Sequence, residues 1–114
     1  MLMDNFLKKL NQETESITFH ETIDYIDHHF QFTPTAFVNG ELRNEANQNN
    51  GSCKIFGFAK LKNLSKDTTL QLFGDFYRLD VLNNPNGSDH LNIRNFIKFG
   101  WEGLTFKNDP LALK

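Results

Sequence analysis

Gly51-Ser52-Cys53-Lys54-Ile55-Phe56-Gly57-Phe58-Ala59-Lys60-Leu61 is the stretch that decides the fold. Its apolar residues Ile55, Phe56, Phe58, Ala59 and Leu61 cover most of a helix circumference, and a helix apolar on several sides must be packed on several sides. The preceding run, Arg43 to Gly51, is polar and Asn-rich. Such side chains compete for main-chain hydrogen bonds, so the run reads as an exposed loop. The rest of the chain is therefore expected to assemble around one central helix that begins at Ser52.

Upstream, Asn5 to Leu10 reads as a short helix with Phe6, Leu7 and Leu10 on one side. Phe19, Ile23, Ile26 and Phe30 follow at spacings of four, three and four, the stripe of an amphipathic helix. Thr18 with Glu21 three positions on predicts a capping box at its start. Phe32-Thr33-Pro34 ends that helix, because the residue before proline is pushed out of helical geometry. Thr35 to Val38 reads as a strand, Asn39-Gly40 as a turn and Glu41 to Arg43 as a return strand.

Downstream, Ser65 is placed to cap a helix running to about Val81, with Leu72, Phe73, Phe76 and Tyr77 on one face. Asn83-Asn84-Pro85-Asn86-Gly87 is a turn cluster. Ser88 or Asp89 then caps a last helix that carries Ile93, Phe96 and Ile97 inward and stops at Gly100. Leu104-Thr105-Phe106 fits a strand beside Thr35 to Val38, and the tail after Asn108 reads as loose. The expectation is one α+β domain over residues 1–114, predominantly helical with about five helices and a small hairpin or short sheet.

Composition narrows the function classes. The hydrophobic share is 39% and the charged share 23%, a globular balance in which 12 Phe carry much of the apolar content. The net charge of −2 comes without any basic cluster, so neither a nucleic-acid groove nor an anionic membrane surface is indicated. No run approaches the roughly 18 apolar residues of a membrane helix. One cysteine excludes an intrachain disulfide and four-cysteine zinc sites and suits a reducing cytoplasm. The start, Met1-Leu2-Met3-Asp4, lacks the pattern of a signal peptide. No cofactor motif is present.

Three blocks resemble a known family when taken together. They are Phe32-Thr33-Pro34-Thr35-Ala36-Phe37-Val38-Asn39-Gly40, then Gly51-Ser52-Cys53-Lys54-Ile55-Phe56-Gly57-Phe58-Ala59, then Asp89-His90-Leu91-Asn92-Ile93-Arg94-Asn95-Phe96, followed by Gly100-Trp101-Glu102-Gly103. Over residues 17–106 the chain resembles the HopJ type III effector family. The resemblance implies a family whose name comes from members delivered into host cells, and it carries no defined activity. Cytoplasmic residence is the expectation here, with secretion implied by the resemblance alone.

Cys53 is the sharpest chemical candidate. Near a helix start, free N–H groups and the helix dipole favour thiolate. His90 could share its proton and Asn92 or Asn95 could orient that His, giving a cysteine-dependent hydrolase or transferase. The competing reading is a small apolar core residue, as buried cysteines usually are. His20, Asp24 and His28 share a helix face at four-residue spacing, where they would either meet a divalent ion or form a solvated face. Arg94 with Asp89 is either an anion-binding pair at a helix start or a structural ion pair, and Arg78 has the same default among Asp75, Asp80 and Asp89. Phe30, Phe32, Phe99 and Trp101, if exposed together, would mark a protein interface. A non-enzymatic module engaging a protein partner, or a second copy of itself, is the reading these residues favour.

Overall fold

The structure is a computed structural model that describes residues 2–114; Met1 and the side chains of residues 2–4 lie outside the description. The architecture is α+β, with six helices and two small antiparallel sheets among the described residues. In chain order, α1 is Leu2–Gln12, α2 Phe19–His29, β1 Phe30–Phe32, β2 Phe37–Asn39, β3 Leu42–Asn44, α3 Asn50–Leu61, α4 Lys66–Gln71, a π-helix Phe76–Val81, α5 Leu91–Phe99, β4 Leu104–Phe106 and β5 Leu111–Leu113.

Helix α3 is the centre, as its sequence requires. Cys53, Ile55, Phe56, Gly57, Phe58 and Ala59 are all buried. Residues two apart on a helix point roughly 200° apart, so Phe58 and Phe56 serve opposite sides. Phe58 meets Phe6, Tyr25 and Phe30 at ring-centroid distances of 6.1, 5.7 and 5.9 Å. Phe56 meets Phe37, Phe73 and Phe96 at 6.2, 5.4 and 4.8 Å. Leu61, expected inside, is 58% exposed because the last turn of α3 runs past the core.

The start of α2 matches its reading. Thr18 Oγ1 accepts from Glu21 N at 3.1 Å and Glu21 Oε1 accepts from Thr18 N at 3.0 Å, the reciprocal capping box. Its end differs. The helix stops at His29, and Phe30 to Phe32 form β1, paired with Leu113 to Leu111 of β5. The segment after Asn108 is therefore ordered rather than loose. Its Pro110 and Leu111 are buried, and Pro110 O accepts from Thr33 N at 2.8 Å. Neither strand is stable alone, so a pairing partner 80 residues away could not be read locally.

The hairpin forms one residue later than its sequence reading: Asn39 pairs with Leu42, leaving Gly40-Glu41 as the loop. Gly40 has φ +64, and an added Cβ would lie 2.1 Å from the Phe99 ring, so only glycine fits that turn. β4 pairs with β2 on its other edge, as expected.

The helix expected from Ser65 to Val81 is broken in two. Ser65 caps α4 by accepting from Thr68 N at 3.2 Å. Gly74 then takes φ +62 against the main chain of α2, where a Cβ would sit 2.6 Å from Phe19 N. Beyond that break the chain resumes as a π-helix. Leu72 and Phe73 are buried, whereas Phe76 is 39% exposed. The face that looked continuous is thus half core and half surface.

Candidate binding cleft

The broken helix and two helix starts enclose an open cleft of about 490 Å³, within the roughly 300–1,000 Å³ range of ligand sites. One wall is the start of α3, with Asn49, Gly51 and Ser52. A second is the start of α5, with Ser88, His90, Leu91, Asn92 and Ile93. Phe19, Phe73 and Phe76 supply an aromatic wall, and Leu42 closes the hairpin side.

Both helix starts share an uncommon backbone. Asn49 and His90 stand immediately before α3 and α5 in the left-handed region, at φ 55 and φ 50, and neither helix has a side-chain cap. Ser88 and Asp89 do not cap α5, contrary to the sequence reading. The Asp89 carboxylate instead takes Arg94 Nη2 at 2.7 Å. His90 is held from two sides. Its Nε2 lies 3.1 Å from Asp80 Oδ2, and its ring lies 5.2 Å from that of Phe76. Phe76 in turn meets Phe19 edge-on at 5.0 Å. The aromatic rim is therefore continuous from α2 through the π-helix to α5.

Behind the cleft lies a buried layer of asparagines. Asn39, Asn44 and Asn92 are 0, 1 and 5% exposed. Asn92 Nδ2 donates to Asn44 Oδ1 at 2.9 Å. Asn92 Oδ1 accepts from Asn39 Nδ2 at 3.0 Å and from Asn44 Nδ2 at 3.1 Å. Asn39 Nδ2 also donates to Asn92 O at 2.8 Å, and Asn49 Nδ2 reaches Asn44 Oδ1 at 2.7 Å. These bonds join the hairpin, the loop before α3 and the start of α5, fixing the polar wall of the cleft.

The residues singled out in the sequence are only partly brought together. His90 and Asn92 line the cleft; Cys53 does not. Cys53 is 1% exposed, its Sγ lies 4.0 Å from Thr35 O, and burial pushes its thiol above the ordinary range. Asn92 is committed to the asparagine layer, and Asn95 donates to Asn39 O at 3.0 Å, so the group that holds His90 is Asp80.

The remaining candidates are structural in their contacts. Arg94 clamps the loop before α5, with Nε on Asp89 O at 2.6 Å and Nη1 on Asn84 O at 2.7 Å. That guanidinium holds the Asp89 carboxyl below its ordinary value. Arg78 bonds to none of the three aspartates expected for it; it donates to the carbonyls of Thr14, Ile17 and Gln71 and to Gln71 Oε1. His20, Asp24 and His28 are exposed along α2. Among the described residues, no three His, Cys, Asp or Glu side chains are grouped to hold a metal ion. The Phe30, Phe32, Phe99 and Trp101 patch does not exist as an exposed cluster. Phe30 is core, and Trp101 packs edge-on against Phe96 at 5.1 Å while its Nε1 donates to Leu64 O at 3.0 Å. No helix of the described residues is long and apolar enough to cross a membrane.

A family model for the HopJ type III effector protein matches residues 3–111, nearly the whole chain. The chain belongs to the HopJ family. The HopJ chain is also similar to a crystal structure of an unknown-function protein, VPA0580, at 50% identity and a TM-score of 0.94, covering 97% of this chain and 92% of that one. A search of curated proteins found no match. Membership in HopJ therefore agrees with the fold and brings no activity with it.

Proposed function

We propose that this HopJ protein is a one-domain, non-enzymatic interaction module whose cleft receives a segment of another protein. The observation that carries this reading is the continuous aromatic rim Phe19–Phe76–His90 beside a polar wall whose Asn92 is held by Asn39 and Asn44. Such a wall offers apolar contact and fixed shape, the properties of a recognition groove. The π-helix supports it, since π-bulges recur at functional sites.

The alternative is a hydrolase or transferase with Cys53 as nucleophile and His90 as its base. It requires a reactive thiolate, and the burial of Cys53 with its raised thiol pKa speaks against that. The test is selection of displayed random peptides on the wild-type protein, followed by rebinding to a Ser88→Trp variant. Ser88 is an exposed loop residue on the cleft wall, so the substitution blocks the groove without entering the core. Enriched peptides should lose at least tenfold in affinity for the variant. Failure to enrich peptides, or equal binding to both proteins, contradicts the proposal.

A further inference from the structure

We infer that the segment taken up by this groove is apolar and flanked by lysine or arginine. The inference rests on the recognition reading above and adds the chemistry of the partner. Two observations carry it.

The first is the apolar surface beside the cleft. Phe76 and Leu91 line it and are 39 and 48% exposed, and Leu79 and Leu82 continue along the same segment at 52% each. Exposed apolar side chains beyond those lining the cleft suit a chain longer than one small molecule.

The second is the orientation of charge. Residues 74–94 hold three carboxylates, Asp75, Asp80 and Asp89, and two guanidiniums, Arg78 and Arg94. The guanidiniums turn inward: Arg78 is spent on main-chain carbonyls and the Gln71 side chain, and the Arg94 side chain is only 12% exposed. The carboxylates remain outside, the Asp80 and Asp89 side chains being 50 and 62% exposed. His90 lies 3.1 Å from Asp80 and 3.8 Å from Asp89. Arg94 neutralises Asp89, so the negative charge beside the cleft comes from the exposed Asp75, next to Phe76, and Asp80, against His90. Negative charge beside an apolar groove selects a cationic partner and repels an anionic one.

The experiment uses the full chain with two probes, a short amphipathic Leu/Lys helix and its Leu/Glu counterpart, titrated by fluorescence anisotropy. The Leu/Lys helix should bind, weaken as salt is raised, and lose affinity roughly three- to tenfold to an Asp75→Asn/Asp80→Asn variant, the sum of two exposed ion pairs. An Asp67→Asn/Asp109→Asn pair should change nothing, and Ser88→Trp should block binding. If both helices bind equally and Ser88→Trp blocks both, the charge inference is overturned while the recognition groove stands. If the Leu/Lys helix binds regardless of Ser88→Trp, both fail. Absence of binding by either helix overturns the inference, as does a concentration-dependent dimer that Ser88→Trp dissolves, which would make a second copy the occupant.

Discussion

Phe58 and Phe76 each sit in a cluster of aromatic rings, yet the two clusters do opposite work. Around Phe58, the rings of Phe6, Tyr25 and Phe30 come from α1, α2 and β1, and every member is buried. Around Phe76, the rings of Phe19 and His90 come from α2 and the start of α5, and Phe76 is 39% exposed. The helix starts beside them differ in the same way. α2 is closed by its capping box and by Lys9 on Glu21 at 2.9 Å, whereas α3 and α5 begin uncapped on left-handed residues at the cleft. The core around α3 is finished for stability; the cleft at its start leaves apolar surface and shape unused by folding.

That contrast can be broken first at Phe58. Phe58→Ala should cost about 3–5 kcal/mol in denaturant unfolding, since a fully buried ring leaves a cavity among rings that cannot collapse. Asn92→Ala should cost about 2–3 kcal/mol, because the Nδ2 groups of Asn39 and Asn44 lose the buried oxygen they share. A loss no larger than that of a surface substitution would mean the asparagine layer does not fix the cleft wall.

Smaller effects sharpen the comparison of helix starts. Burial alone would raise the Glu21 carboxyl, but Lys9 and the Thr18 N–H outweigh it and hold the group below its ordinary value of 4.5. A depressed carboxyl contributes stability that is present above about pH 4.5 and lost as the pH falls through the folded value. Glu21→Gln keeps the capping box but loses the Lys9 ion pair, so it should cost about 0.5 kcal/mol at neutral pH and flatten the acid limb of the stability profile. Phe76→Ala should be similarly small, under about 1 kcal/mol because the ring is partly solvated, with most of the peptide affinity lost. If Phe76→Ala destabilises as Phe58→Ala does, the two clusters are not different in kind. Cys53 supplies a chemical counterpart: iodoacetamide at neutral pH should leave it unmodified until the protein is unfolded.

Much of the stability side was legible in the sequence. The Thr18–Glu21 box, the Ser65 cap and the all-round apolar α3 are local patterns, and local patterns survive folding. The cleft was mostly not legible. Phe76 falls in register with Leu72 and Phe73, and only the close approach of Gly74 to the main chain of α2 turns it outward. Asn39, Asn44 and Asn92 read as turn, loop and helix residues because the bonds joining them span 48 and 53 positions. Cys53 reads as one or two residues inside a helix start, but α3 begins at Asn50, so the Cys53 N–H is already bonded to Asn49 O at 3.0 Å, and its Sγ faces Thr35 O inside the core. β5 was missed for the same reason, since its partner is at the other end of the chain.

The central claim is that binding occurs at the starts of α3 and α5. Backbone amide NMR of the wild-type chain, titrated with a peptide from the display selection, tests it most directly. Shift changes should be confined to Gly51 and Ser52, Phe76, and Ser88 to Ile93. Changes centred instead on the smaller groove around Gly57, Lys60 and Pro110, with the α3 and α5 starts unmoved, would contradict it.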